Sequence, residues 1–319
     1  MKRDETVDVA KGICMLSVIW VHCCYNLSSD FLWDSIRSYI QLFYMPCFFI
    51  LSGYFIKNGN VIEFIKKKAK TLLWPFIFMY LFSYFIIFFL IKLIHVDLKN
   101  ELDILSVFFS NPFPNAPIWF LSALFFGIIN VFLINKIHGR LLQWGVANLL
   151  FLIGYYWNTL FNFRLPFFWD VGLTSVLFLK MGPVVKHICN RLGKNRKLLF
   201  GTLVLCFLFS LGFREDYSML TNTYPQNVLI FIWEVFFSCM FILLCSKEIK
   251  NSFLSYIGRN SLIVLCFHMF IIMGLKVICK NIDAIFIIPV CFVITLLSMM
   301  LIIPVIKRYF SFVFMICSK

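Results

Sequence analysis

Long apolar runs alternate along this chain with short polar stretches. Ten apolar segments can be drawn, over 9–27, 38–56, 71–94, 117–135, 141–159, 167–185, 198–213, 227–245, 260–279 and 284–306. Each lies near the roughly 20 residues that an α-helix needs to cross the hydrocarbon of a bilayer, the seventh being short. Asp170, Lys180 and Glu234 fall inside segments. The pattern predicts an all-α, polytopic integral membrane protein of about ten transmembrane helices. It forms a single transmembrane domain over 1–319, with no soluble domain.

The basic residues test this drawing. With the N-terminus inside, the cytoplasmic stretches are 1–11, 57–70, 136–140, 186–197, 246–259 and 307–319, and most of the 29 Lys and Arg residues fall in them. That is the bias of the positive-inside rule, and it predicts N- and C-termini in the cytoplasm. The longest external loop, about 95–116, carries Asp97, Glu101, Asp103 and the turn-rich Asn111-Pro112-Phe113-Pro114. A second external loop covers 214–226. The first apolar run is followed by no small-residue cleavage pattern and reads as a retained helix.

Composition agrees. Hydrophobic residues make up 61% of the chain and charged ones 14%, against about 25% charged in ordinary soluble domains. The mean hydropathy is +0.90. The net charge of +14 would suggest nucleic acid in a soluble protein. Here it reads as basic loops facing anionic lipid, with membrane lipids and no nucleic acid as partners. The 12 Cys are scattered through apolar stretches without CxxC or Cys/His spacing. They read as packing residues, with no metal site. The 41 Phe read as lipid-facing and packing surface.

Chemistry must therefore sit in the helix bundle or at its mouths. Asp8, Lys11 and His22 share the first helix. Lys11 and His22 are about three turns apart, so they project from nearly one face, separated by roughly 16 Å. With Lys11 at the cytoplasmic edge, His22 lies near mid-bilayer, where an ionisable residue is a functional candidate. Imidazole suits proton removal near neutral pH; a histidine bonded between helices is the structural alternative. His268 lies roughly 14 Å beyond Arg259 along the ninth segment, at a similar depth. The two histidines could flank one cavity. His95, His138 and His187 read as solvated. Glu234 could face a cavity or a cation such as Lys180. Lys66, Lys67, Lys68 and Lys70 read either as topology signals or as an electropositive mouth for a phosphorylated donor. No Walker loop, dinucleotide turn, HExxH or nucleophile elbow is present, which disfavours pumps, dinucleotide enzymes and the familiar hydrolases.

Five motifs run in an ordered series: Asp8-Val9-Ala10-Lys11-Gly12-Ile13 with His22; Tyr44-Met45-Pro46-Cys47-Phe48-Phe49-Ile50-Leu51-Ser52-Gly53-Tyr54; a basic stretch into Leu73-Trp74-Pro75-Phe76; Pro117-Ile118-Trp119-Phe120-Leu121; and Gly258-Arg259-Asn260-Ser261-Leu262 ending at His268. Together they resemble the membrane-bound acyltransferase-3 family, whose opening is a basic residue, ten others, then histidine. Most members have Arg where this chain has Lys11. Lys is the form common in the fucose 4-O-acetylase-like, polysaccharide O-acetyltransferase subgroup. The stretch 141–255 adds little to the resemblance.

The resemblance implies transfer of an acyl, usually acetyl, group from cytosolic acyl-CoA to a carbohydrate hydroxyl. The acceptor would be an envelope polysaccharide or lipid-linked glycan, and the location the cytoplasmic (inner) membrane of a bacterium. Acetyl-CoA is then a co-substrate, and no cofactor is held permanently. The family's essential histidine maps onto His22 and its basic partner onto Lys11, with Asp8 orienting Lys11 or ending the helix. Lys offers no bidentate fork, so the donor would be held by a point charge, aided by Lys66, Lys67, Lys68 and Lys70. Trp119, Ser52, Glu234 and His268 are candidates for the acceptor side or its pocket. Self-association into a homo-oligomer stays open. A proton-coupled transporter or exporter of glycans or small solutes is the alternative reading, through Glu234, Lys180 and the two histidines. A non-catalytic partner would be expected to lose the Lys11–His22 pair.

Overall fold

The computed structural model describes residues 4–27, 31–94, 104–210, 217–279 and 284–314. His95 and the acidic loop residues Asp97, Glu101 and Asp103 lie outside the described residues. The regular structure described is helical, apart from one isolated bridge between Ser218 and Thr223. In chain order the helices are α1 (Glu5–Leu27), α2 (Phe31–Gln41), α3 (Tyr44–Gly53), α4 (Val61–Lys68), α5 (Trp74–Ile94), α6 (Trp119–Ile134), α7 (Arg140–Tyr155), α8 (Trp157–Leu160), α9 (Trp169–Leu192), α10 (Arg196–Ser210), α11 (Val228–Glu248), α12 (Ser252–Arg259), α13 (Ser261–Ile278), α14 (Ala284–Tyr309) and α15 (Ser311–Phe314). A π-helical turn, Ala69–Leu73, joins α4 to α5.

Among the described residues, every apolar segment drawn from the sequence falls largely on helix. Among the described residues, 7 helices are long and apolar enough to cross a membrane. The segment 38–56 is carried by two short helices instead of one. The break falls at Leu42 and Phe43, one turn before Pro46, whose missing N–H and bulky ring oppose a helix continuing through Leu42. The interruption frees the Gln41 carbonyl, which accepts a hydrogen bond from the Tyr217 hydroxyl. Burial holds that phenol well above its ordinary titration range, so it stays a donor. The segment 141–159 falls on α7, with 16 residues, and α8; 198–213 falls on α10, with 15, as far as Ser210, and 211–213 lie outside the described residues.

Helix starts follow local chemistry. The side chains of Asn60, Asn195, Asn227 and Asn251 accept backbone N–H bonds at the starts of α4, α10, α11 and α12. Basic residues close α4, α9, α11, α12 and α14, where the helix dipole favours them. Outward-facing Phe85, Phe89, Leu297 and Leu301 are each at least 60% exposed. Such large apolar side chains on two spanning helices are natural against lipid and a liability in water.

The chain divides into two compact units. The first is Met1–Phe55, Phe178–Met219 and Thr223–Pro304; the second is Ile56–Leu177, Leu220–Asn222 and Val305–Lys319. In the first unit α1 is central, packing on α2, α3, α11, α12 and α13. Its contact with α12 is backbone on backbone. A Cβ at Gly258 would stand 1.8 Å from the Asp8 carbonyl oxygen, and one at Gly12 would stand 2.1 Å from that of Leu254. Only glycine permits this approach. In the second unit α6 packs on α5, α7 and the π-helical turn.

The second unit ties several of its buried polar groups to one another. Arg164 pairs with fully buried Asp170 and donates to the Leu220 carbonyl. Asn222 bonds the Gly154 carbonyl and the Thr174 hydroxyl. Phe167 and Phe168 both have positive φ, 54° and 60°, a costly conformation for aromatic residues. Two serines hold them there: Ser122 donates to the Phe167 carbonyl, and the Ser110 hydroxyl accepts from the Phe168 N–H.

Candidate active site

The site builds from α1. This helix runs unbroken from Glu5 to Leu27, so Lys11 and His22 keep their common face. Asp8 is buried one turn before Lys11, where the Gly258 backbone presses on α1. Tight packing of α1 on α12 sets the start of α13, and with it the position of His268.

His22 and His268 meet. Their ring centroids are 5.2 Å apart with the planes tilted by 52°. His22 is partly exposed; His268 is fully buried. His268 Nδ1 lies 2.7 Å from the Val264 carbonyl oxygen. A carbonyl only accepts, so Nδ1 carries the proton in this bond. Nε2 of neutral His268 is then a bare lone pair, and among the described residues it has no hydrogen-bond partner. A buried acceptor without a donor is costly in a structural residue. It is useful in one that receives a proton. Trp20, two positions before His22, packs edge-on against Trp33 and Phe292 and closes the neighbouring part of the helix cluster.

At the other end of this face, Lys11 Nζ lies 5.7 Å from the centre of the Phe55 ring. Lys186 Nζ lies 5.6 Å from the same ring and 5.5 Å from that of Tyr54. Two ammonium groups converge on one aromatic side chain. Close backbone packing brings them together, because Gly182 on α9 sits against the backbone of Ile50 and Gly53 on α3. Lys186 appeared in the sequence only as one more basic residue at a membrane edge. Helical spacing relates residues within one helix and cannot pair α9 with the end of α3.

The other candidates divide between the units. Ser52 belongs to the first unit, and its hydroxyl donates to the Phe48 carbonyl of its own helix at 2.7 Å. Glu234 is buried on α11, which packs on α1 and α3, and Lys180 is half-buried on α9. Lys66, Lys67, Lys68 and Lys70 belong to the second unit. They lie on the last turn of α4 and the π-helical turn, all exposed except half-buried Lys68, which sits over Phe64. Trp119 is also in the second unit, at the start of α6, and its ring is buried against Phe120 and Phe168.

These features define a multi-pass helical membrane protein with ionisable groups built into its helix cluster. Residues 4–307 match the family profile of an acyltransferase domain, and the chain belongs to this acyltransferase-3 family. It is a membrane acyltransferase, and the match covers the helices that carry Lys11, His22 and His268. No curated protein and no solved structure matches it.

Proposed function

We propose that the protein is an O-acyltransferase of a bacterial cytoplasmic membrane. It moves an acetyl group from cytosolic acetyl-CoA to a hydroxyl of a cell-envelope or surface carbohydrate, as the fucose 4-O-acetylase-like members do. The chain crosses the membrane about ten times with both termini in the cytoplasm, in keeping with its charge bias. The observation that carries the reading is the family match over residues 4–307, which includes the histidine pair in ring contact.

The geometry suits proton transfer. A sugar hydroxyl is a weak nucleophile, and a positioned base is worth about 10²–10⁴-fold. His22 takes the hydroxyl proton as the oxygen attacks the thioester carbonyl. The new C–O bond forms, the C–S bond breaks, and the proton passes to the departing thiolate. His268, its Nδ1 bound to Val264, holds an Nε2 lone pair beside His22 and stabilises the imidazolium that forms. The acyl-histidine route uses the same residue as nucleophile. Lys11 attracts the donor from the cytoplasmic side, and Lys66, Lys67, Lys68 and Lys70 raise the local concentration of an anionic donor. Asp8 orients Lys11.

The test is acetyl-CoA turnover by the protein in nanodiscs, read as free CoA with and without a panel of envelope glycans. Acceptor-dependent release that disappears in His22→Ala is the expected result. A folded His22→Ala protein as active as wild type would overturn the role of His22 and transfer attention to His268. If acetyl-CoA is not consumed even with the native glycan, the transporter reading replaces this one.

A further inference from the structure

Two lysines of the first unit pack on their neighbours but form no ion pair among the described residues. Lys186 on α9 and Lys247 at the end of α11 are both half-buried. A cation partly withdrawn from water and lacking a counter-charge is unfavourable unless an anion completes it. Both line one cavity of about 50 Å³, together with Asp4 and Thr6 of the α1 start, Tyr54 and Asn190. Lys247 Nζ donates to Asn190 Oδ1 at 3.0 Å, which aims the ammonium along the cavity wall.

The size of this space limits its occupant. A water needs roughly 10–15 Å³, so the cavity, which is partly open, has room for a few waters or one phosphoryl group. Its charge limits the occupant further. Asp4 is the carboxylate in the lining, and its Oδ1 accepts the Thr6 N–H at 3.2 Å as a cap on α1. The start of a helix of 23 residues adds the positive end of its dipole, partly offset by Glu5 and Asp8 in its first turn. Lys186 also reaches the Phe55 ring shared with Lys11. The cavity therefore adjoins the residue at the donor end of the α1 face.

We propose that this cavity is a phosphoryl-binding subsite, built from Lys186, Lys247 and Asn190, that takes one phosphate group of the acyl-CoA donor. The proposal rests on the acyl-transfer reading above. It assigns the donor's anionic end to the first unit, where Lys11 and His22 stand. The exposed lysines of α4 and the π-helical turn keep only a long-range attraction. A phosphate held by Lys186 and Lys247 near the start of α1 leaves the flexible arm of the coenzyme to run along α1 towards His22, the direction in which the thioester must travel. An anionic lipid headgroup presents the same phosphate chemistry from the membrane side.

The experiment measures calorimetric binding of coenzyme A, adenosine 3′,5′-bisphosphate and pantetheine to the full protein in phosphatidylcholine nanodiscs. Lys186→Gln and Lys247→Gln are each expected to weaken the two phosphorylated probes by about tenfold and to leave pantetheine unchanged. Lys66→Gln and Lys70→Gln are expected to change affinity by less than about threefold. Exposed Asn190→Asp, which disturbs no packing, puts a negative charge in the wall and is expected to weaken coenzyme A at least as much. If both lysine variants and Asn190→Asp bind coenzyme A like a wild type that still turns over acetyl-CoA, the subsite is wrong and acyl transfer stands. A wild type that neither binds coenzyme A nor consumes acetyl-CoA overturns both. In phosphatidylglycerol nanodiscs, loss of coenzyme A binding by wild type but not by Lys186→Gln would assign the cavity to lipid headgroups and overturn the donor assignment.

Discussion

Two sets of buried polar groups, one in each unit, are satisfied differently, although Asn130 Nδ2 of the second unit also has no partner among the described residues. In the second, Arg164 is matched to Asp170 and the Leu220 carbonyl, Asn222 to Gly154 and Thr174, and two serines to the strained Phe167 and Phe168 backbone. These groups are used up by one another, as buried polar atoms in a scaffold should be. In the first, among the described residues, His268 Nε2 has no hydrogen-bond partner beside a second imidazole, and Lys186 and Lys247 line a cavity with Asp4 without forming an ion pair. Satisfied polarity holds a backbone in place. Open polarity of the right type awaits a proton or a ligand.

The largest effect expected from this contrast is on catalysis in the first unit. His22→Ala should reduce acetyl transfer by about 10²–10⁴-fold without changing the thermal midpoint, read as CoA release beside a melting curve. An intact rate would erase the functional side of the contrast. His268→Asn should lower kcat by about 10–100-fold with KM for acetyl-CoA little changed, because it removes a neighbour of the proposed base and not a donor contact. A rise in KM alone would make His268 a binding residue.

Next comes stability in the second unit. Asp170→Asn replaces the charged partner of Arg164, which is itself 21% exposed. The cost should be about 2 kcal/mol, seen in thermal or denaturant unfolding, while turnover per folded molecule is preserved. A stable Asp170→Asn protein that has lost turnover would show that the second unit takes part in chemistry.

Packing of the first unit can be tested the same way. Gly258→Ala puts a methyl group against the Asp8 carbonyl and should cost about 1–3 kcal/mol. Gly145→Ala, in open space on α7, should be neutral or stabilising by up to about 1 kcal/mol. Smallest of all, Ser52→Ala removes a hydroxyl already bonded within its own helix and should change stability by less than about 0.5 kcal/mol. A large loss of activity there would return Ser52 to the acceptor site.

Much of this was legible in the residues. The apolar segments fall on helices because burial in lipid demands internal hydrogen bonding of every backbone group, and only a helix supplies it within one segment. Asparagine caps and basic last turns are local signals. So is the common face of Lys11 and His22, which needs nothing beyond the helical period. The split of the segment 38–56 was implicit in Pro46, but length and hydropathy outweighed one residue.

Other features depended on which helices touch. The contact between His22 and His268 joins α1 to α13, and no period links residues so far apart in the chain. Two glycine contacts decide it locally: Gly12 and Gly258 let α12 lie backbone to backbone on α1, which places α13 beside His22. In the same way Gly182 against α3 brings Lys186 over the ring already shared by Lys11. By itself the sequence determined the solvent, the helices, the family and the common face of Lys11 and His22, since these follow from composition, local periodicity and ordered motifs. Only the tertiary structure decided the second histidine's contact, the convergence of lysines and the cavity beside them, because packing between non-adjacent helices is set by shape and has no periodicity along the chain.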